Sequence, residues 1–213
     1  MTKKQRAFYC IEALEKEYTE ALCSLNASNE LELLIATRLS AQCTDERVNK
    51  ITPALFSRYK TLEDYCSAEI EDIEKIIYSC GFYKAKAKDI KGLAIMIRDN
   101  FGGKVPDSIE KLTTLPGVGR KTANLIMGDV YGQPAVVADT HVIRITNLLG
   151  LTDTKDPKKV ELELKKILPG EKSNDFCHRI VLHGRAVCIA RKPKCDICCL
   201  KEYCKFASKN REV

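Results

Sequence analysis

Leu112-Thr-Thr-Leu-Pro-Gly-Val-Gly-Arg-Lys-Thr-Ala-Asn-Leu-Ile-Met127 is the stretch on which the fold of this chain turns. Apolar residues at Leu112, Leu115, Val118, Ala123 and Ile126 mark two short amphipathic helices, with Pro116-Gly117-Val118-Gly119 forcing a tight reversal between them. Glycines there leave backbone N–H groups uncovered at the start of the second helix, where the first amides have no intrahelical partner. The positive end of the helix dipole points the same way, so the turn is a ready anion site. A plain αα-turn is the bland alternative, and a lone Gly-x-Gly would warrant it.

The apolar pattern around the glycines matches the helix-hairpin-helix motif, which grips a phosphate backbone without reading base sequence. Gly117, Val118, Gly119 and Arg120 are then candidate DNA contacts. Lys121 falls in the first turn of the second helix. A solvated lysine is the common case at such a position, but an amine beside a phosphate site is also placed to act as a nucleophile. Eighteen residues later Asp139 opens Asp-Thr-His-Val142, with Val142, Ile145 and Leu149 on one helical face. It is a natural N-cap, and a cap that uses one carboxylate oxygen leaves the other for chemistry.

Cys188, Cys195, Cys198 and Cys204 stand at C-x6-C-x2-C-x5-C spacing within seventeen residues. Disulfides fit poorly: the chain begins MTKKQRAFYC without an apolar signal stretch. Seven further cysteines (Cys10, Cys23, Cys43, Cys66, Cys80, Cys177, Cys199) show no framework spacing and read as small core fillers or neutral thiols in a reducing cytosol. Zinc sites usually pair two close C-x2-C or H-x3-H units, and here only one close pair exists, so the spacing favours an iron–sulfur cluster while leaving zinc open. Cys199 adjoins Cys198 and is a rival ligand. The loop between the first two cysteines carries Arg191, Lys192 and Lys194, which suits an anionic partner.

The remaining pattern is helical. Asn29 with Glu32 reads as a cap before Leu31, Leu34, Ile35 and Leu39. Ser67 leads Ile70, Ile73 and Ile77 toward Gly81, and Ile90, Leu93, Ala94, Ile97 and Phe101 form a stripe ended by Gly102-Gly103. Asp107 and Glu110 are expected to cap a short helix through Leu112 and Leu115. Asp156-Pro157 opens another ending at Pro169-Gly170, and a last long helix is expected from about Asp175 toward Cys188. Only Pro134 to Ala138 hints at a strand, so the fold class is all-α. At 213 residues the chain can build one large or two small cores without staples. Its 35 basic and 29 acidic residues give a net charge of +6, which leans toward nucleic acid. No apolar run approaches membrane-spanning length.

Four segments together, Leu115-Pro-Gly-Val-Gly-Arg-Lys-Thr-Ala-Asn124, Ala138-Asp-Thr-His141, Leu182-His-Gly-Arg185 and the cysteine run, resemble the endonuclease III family, bifunctional DNA glycosylase/AP lyases of the helix-hairpin-helix class. The likeness also covers Leu33-Leu-Ile-Ala36, Leu39-Ser-Ala-Gln-Cys-Thr-Asp45 and Gly81-Phe-Tyr83, and so nearly the whole chain. The resemblance implies a six-helix domain over about 23–133 carrying the hairpin (about 112–127). It implies a second, discontinuous helical domain from 1–22 and 134–213, with a [4Fe-4S] cluster loop at 188–204 and the active site in the cleft between domains.

By the same resemblance Lys121 is the nucleophile, Asp139 its carboxylate partner, and the four cysteines ligate the cluster. Gln42 fills the gap left by a flipped nucleotide, Phe82 is the apolar wedge, His141 contacts the backbone at the lesion and Asp45 lines the base pocket. Lys84 stands where the family commonly has asparagine, adding a possible phosphate contact on the wedge loop. The implied substrate is double-stranded DNA carrying oxidised or ring-saturated pyrimidines or abasic sites. The protein is expected to act as a monomer in the cytoplasm, at the nucleoid in a prokaryote. Two rivals are a non-catalytic DNA-binding module with a structural metal, and a monofunctional adenine glycosylase. The latter lacks the hairpin lysine.

Overall fold

Thr2 opens the first helix of the computed structural model, α1 (Lys3–Glu17), through a capping box with Gln5, and Ala7, Cys10, Ile11 and Leu14 form its buried face. The structure describes residues 1–209, so the end of the expected 134–213 stretch lies outside the described residues. The chain divides into two compact units: Cys23–Tyr131, and Met1–Leu22 together with Gly132–Val213.

In the central unit Asn29 caps α2 (Glu30–Leu39) by accepting the Glu32 amide at 2.9 Å. Glu32 reaches back one residue further than a capping box requires, to the Ser28 amide. Thr44 caps α3 (Asp45–Arg58), and Thr61 with Asp64 closes a capping box on α4 (Leu62–Ser67). Ser67 therefore ends a helix instead of leading one. Its hydroxyl donates to the Glu63 carbonyl at 2.9 Å, the local bond that a mid-helix serine favours. The next helix, α5 (Ile70–Ile77), starts after Glu69 with no side-chain cap. A 3₁₀ turn, Tyr78–Cys80, leads into α6 (Tyr83–Phe101), which stops at Gly102 and Gly103, both at positive φ (60° and 78°).

Ser108, not Asp107, caps α7 (Ile109–Leu112), accepting the Lys111 amide. Asp107 stands one residue too early for that geometry and meets the Lys111 ammonium instead. The helix ends at Leu112, short of Leu115. The hairpin then delivers α8 (Arg120–Asp129). Leu34, Ile35, Leu39, Leu55, Ile73, Ile77, Ile90, Leu93, Ile97, Leu112 and Ile126 are fully buried and make this unit's core.

In the other unit Pro134–Ala138 has Ala135, Val136 and Val137 buried but takes no regular structure, and no strand forms among the described residues. Asp139 caps α9 (Thr140–Leu149), which ends at Gly150 with φ +74°. Asp156 caps α10 (Pro157–Ile167), with Pro157 in the first turn, where its missing N–H costs nothing. The long helix α11 (Gly170–Ala186) begins five residues before Asp175. Its first turn is polar and shows no apolar stripe until Phe176, although Ser173 is buried and donates to the Gly170 carbonyl. Two 3₁₀ turns, Cys195–Ile197 and Lys201–Tyr203, precede α12 (Lys205–Lys209). No helix among the described residues is long and apolar enough to cross a membrane.

Helices α9 and α11 approach closely because Gly184 has no side chain. A Cβ there would lie 2.5 Å from His141 Nδ1 and 2.9 Å from Ile145 Cδ1. Gly184→Ala is expected to lower stability by about 1–3 kcal/mol through overpacking, measured as a drop in the thermal unfolding midpoint of the holoprotein.

Candidate active site and iron–sulfur centre

The hairpin is built around a backbone conformation that only glycine takes easily. Gly117 stands at φ +71°, and Val118 N–H closes the turn on the Leu115 carbonyl at 3.1 Å. Space enforces the same choice: a Cβ on Gly117 would lie 2.6 Å from Arg38 Cδ and 2.7 Å from Asp89 Oδ2. Those two side chains form a half-buried ion pair, Arg38 Nε and Nη2 reaching Asp89 Oδ2 at 2.7 and 2.6 Å. Neither residue stands out in the sequence, since they lie 51 positions apart.

Gly119 is the N-cap of α8 and has no side chain with which to cap it. Val118 is buried beneath the turn while Gly117, Gly119 and Lys121 are exposed. The hairpin therefore presents uncapped helix-start amides to solvent, with Lys121 on the same first turn. Asn124, one helical turn on and buried, donates to the Arg120 carbonyl at 3.1 Å, fastening that turn from within.

Two more loops of the same unit carry predicted residues. Gln42 is exposed between α2 and α3, and Asp45, at the start of α3, accepts a hydrogen bond from the Ser24 hydroxyl at 2.6 Å. Phe82 is 69% exposed just before α6, and Lys84 is exposed on that helix's first turn.

Asp139 lies in the other unit. Its Oδ1 accepts the Val142 amide at 2.7 Å, leaving Oδ2 outside the cap. His141 follows on α9, its ring against Gly184. One turn further, Arg144 donates through Nη2 to the Cys188 carbonyl at 2.7 Å and through Nη1 to Cys188 Sγ at 3.5 Å. The Leu148 carbonyl accepts from Cys204 Sγ at 3.6 Å. A single helix thus runs from the carboxylate to the cysteine loop. Arg144 is a contact the sequence conceals, because nothing in its neighbourhood marks a partner 44 residues away.

Cys188, Cys195, Cys198 and Cys204 line one cavity together with Leu148, Val187 and Lys194, and Cys199 is not part of its wall. Cys199 instead faces His183 Nδ1 at 4.0 Å. None of the eleven cysteines forms a disulfide. Among the described residues no three His, Cys, Asp or Glu side chains converge closely enough to hold a single metal ion. Four sulfurs spread around a cavity suit a cluster, in which each thiolate binds a different iron, and not one tetrahedral zinc.

His183 is buried between Tyr18 Oη, 3.1 Å from Nδ1, and Cys198 Sγ, 3.3 Å from Nε2. Burial, and then the Arg144 charge, push its pKa down to about 4, so the ring is neutral. Arg191, Lys192 and Lys194 are exposed on the loop, which the Lys194 amide closes onto the Val187 carbonyl at 3.0 Å. Cys10, Cys66, Cys80 and Cys177 are buried outside the cavity wall; burial pushes the Cys10 thiol up to about 12, and Cys10 lies near enough to Cys204, Cys199 and Cys198 to be influenced by them.

Comparison with known proteins shows what the chain is similar to. Residues 35–170 match the HhH-GPD superfamily of base excision DNA repair proteins, and residues 188–204 match the iron–sulfur binding domain of endonuclease III. The chain is 47% identical over 207 residues to endonuclease III of Synechocystis sp., covering 97% of this chain and 94% of that one. It is 41% identical over 202 residues to endonuclease III of Bacillus subtilis, covering 94% and 92%. A solved structure of a trapped endonuclease III–DNA covalent intermediate, an estranged-adenine complex, superposes with a TM-score of 0.92 at 42% identity, over 99% of this chain and 100% of that one. The cofactor of this chain is a [4Fe-4S] cluster.

The two hairpin glycines should respond differently to alanine. Gly117→Ala meets both a positive φ and the Arg38–Asp89 pair, and is expected to cost about 1–3 kcal/mol. Gly119→Ala has open space and an ordinary φ of −92°, and is expected to cost about 1 kcal/mol or less as a poorer N-cap. Denaturant unfolding of the two variants side by side checks this.

Proposed function

Because the chain belongs to the endonuclease III family of base-excision DNA glycosylase/AP lyases, we propose that it removes oxidised or ring-saturated pyrimidines from double-stranded DNA and nicks the abasic site, with Lys121 as nucleophile and Asp139 as its carboxylate partner. The observation that carries this is the exposed amine of Lys121 on the first turn of α8, beside uncapped hairpin amides suited to a phosphate. A backbone phosphate docked there brings a deoxyribose to the amine.

The target nucleotide must leave the stack before C1′ can be reached. Asp139, through the oxygen that does not cap α9, stabilises positive charge on the sugar as the base departs and takes a proton from the attacking amine. Lys121 Nζ forms a bond to C1′ while the N-glycosidic bond breaks and the base leaves with its electron pair. Ring opening gives an iminium, which acts as an electron sink. Loss of a C2′ proton then expels the 3′ phosphate by β-elimination and nicks the strand.

Gln42 fills the vacated position and Phe82, exposed at its loop tip, wedges against the opposite strand. His141 holds the lesion-site backbone, Asp45 lines the base pocket, and Lys84 with Arg120 adds phosphate contacts. Cys188, Cys195, Cys198 and Cys204 hold the [4Fe-4S] cluster, which ties the loop that offers Arg191, Lys192 and Lys194 to DNA. The unit Cys23–Tyr131 is then the hairpin domain and the other the cluster domain. The protein works as a monomer in the cytoplasm, at the nucleoid in a prokaryote.

Borohydride reduction tests the nucleophile. Wild-type protein with an abasic-site duplex should give a stable covalent adduct, and Lys121→Ala none; absence of an adduct with wild type would leave a non-catalytic DNA-binding module. Asp139→Asn is expected to slow single-turnover base release on the order of 10²–10⁴-fold while the duplex still binds. For the ligands, Cys199→Ser should retain four irons per chain and the absorbance near ~400 nm, whereas Cys198→Ser should lose both. Equal iron loss in the two variants would return Cys199 to the ligand set.

A further inference from the structure

Lys86, on the first turns of α6, is 1% exposed, and no carboxylate pairs with it among the described residues. Burying an ammonium is costly unless its protons are accepted. Here Nζ donates to two backbone carbonyls, Leu39 O at 2.8 Å and Cys80 O at 2.7 Å. Leu39 is the last residue of α2, where carbonyls lack helical partners and the dipole is negative, so a cation is well placed. Cys80 ends the 3₁₀ turn before α6. The two carbonyls belong to different loops, and Lys86 Nζ is the atom that joins them.

Those loops have a further property in common. Gln42, three residues after Leu39, has φ +53°, and Phe82, two residues after Cys80, has φ +48°. They are the only non-glycine residues at positive φ among the described residues. Such conformations persist where the surroundings over-determine them. Both side chains point to solvent, so their own packing does not hold them there. The restraint comes from behind: the Lys86 amide donates to the Phe82 carbonyl at 3.1 Å, and its ammonium grips the start of each loop. The Cys43 and Cys80 thiols also lie near each other across the same two loops.

We propose that Lys86 is a positioning residue for base extrusion: it locks the Gln42 and Phe82 loops into one rigid unit, fixing the distance and direction at which the two side chains enter the opened duplex. This rests on the assignment of Gln42 and Phe82 as gap filler and wedge. Lys86 itself touches no nucleotide.

The test uses the holoprotein and a duplex holding a tetrahydrofuran abasic analogue beside 2-aminopurine, which brightens when unstacked, with a thymine glycol duplex for rate. Lys86→Met is expected to bind the duplex within a few-fold of wild type, lose most of the fluorescence rise, and excise the base on the order of 10- to 100-fold more slowly. A merely weakened fold would lower the bound fraction and leave the rise per bound duplex unchanged. Gln42→Ala and Phe82→Ala separate the two ideas. If both keep the wild-type rise, the assignment of the loops fails; if both lose it while folded Lys86→Met keeps wild-type rise and rate, the role of Lys86 fails. Should Lys86→Met not fold, hydrogen exchange of wild-type protein decides: amides at 40–43 and 81–82 as slow as the last turn of α2 support the lock, and free exchange there overturns it.

Discussion

The contact between Gly117 and the Arg38–Asp89 pair is the constraint on which the hairpin depends. A side chain at that position would collide with the pair, and the φ of +71° would strain any residue that carried one. With glycine the turn can descend onto α2 and α6, which supply the pair, while Val118 is buried and Gly119 leaves the start of α8 uncapped. The uncapped amides and the exposed Lys121 follow from that descent. In the proposed function a backbone phosphate satisfies this uncapped helix start.

The other unit uses one helix for two ends of the chemistry. Helix α9 begins with the Asp139 cap and carries His141 on its first turn, Arg144 on its second and the Leu148 carbonyl near its end. Arg144 and Leu148 both reach the cysteine cavity, at Cys188 and Cys204. The cluster loop and the carboxylate are thus held in mutual register by a rigid rod, with Gly184 of α11 allowing the rod to seat closely. In the proposed function the cluster anchors its loop, and bond breaking is assigned to Lys121 and Asp139.

Local signals were legible in the sequence wherever the physics is local. The hairpin glycines, the Asn29 and Asp139 caps, the glycine stop of α6 and the cysteine spacing are short-range patterns that the structure reproduces. Ser67, Asp107 and the start of α11 were misplaced by a few residues, because several capping residues compete within one turn and a polar first turn has no apolar period. What could not be read are pairs joined across long stretches of chain: Arg38 with Asp89, Lys86 with Leu39, and Arg144 with Cys188. Each of these is a basic side chain whose partner lies too far along the chain for any local pattern to mark it. The exclusion of Cys199 from the cluster cavity is of the same kind, since adjacent cysteines differ only in which way the backbone turns them.

A single duplex containing thymine glycol, scored in one reaction for released base and for strand nicking, tests the central claim most directly. One amine that both displaces the base and carries the sugar through β-elimination predicts that base release and nicking arise together, in matching yield, and that the nick ends in the unsaturated 3′ aldehyde of elimination. Base release that leaves an intact abasic strand, or activity confined to 8-oxoguanine, would contradict it.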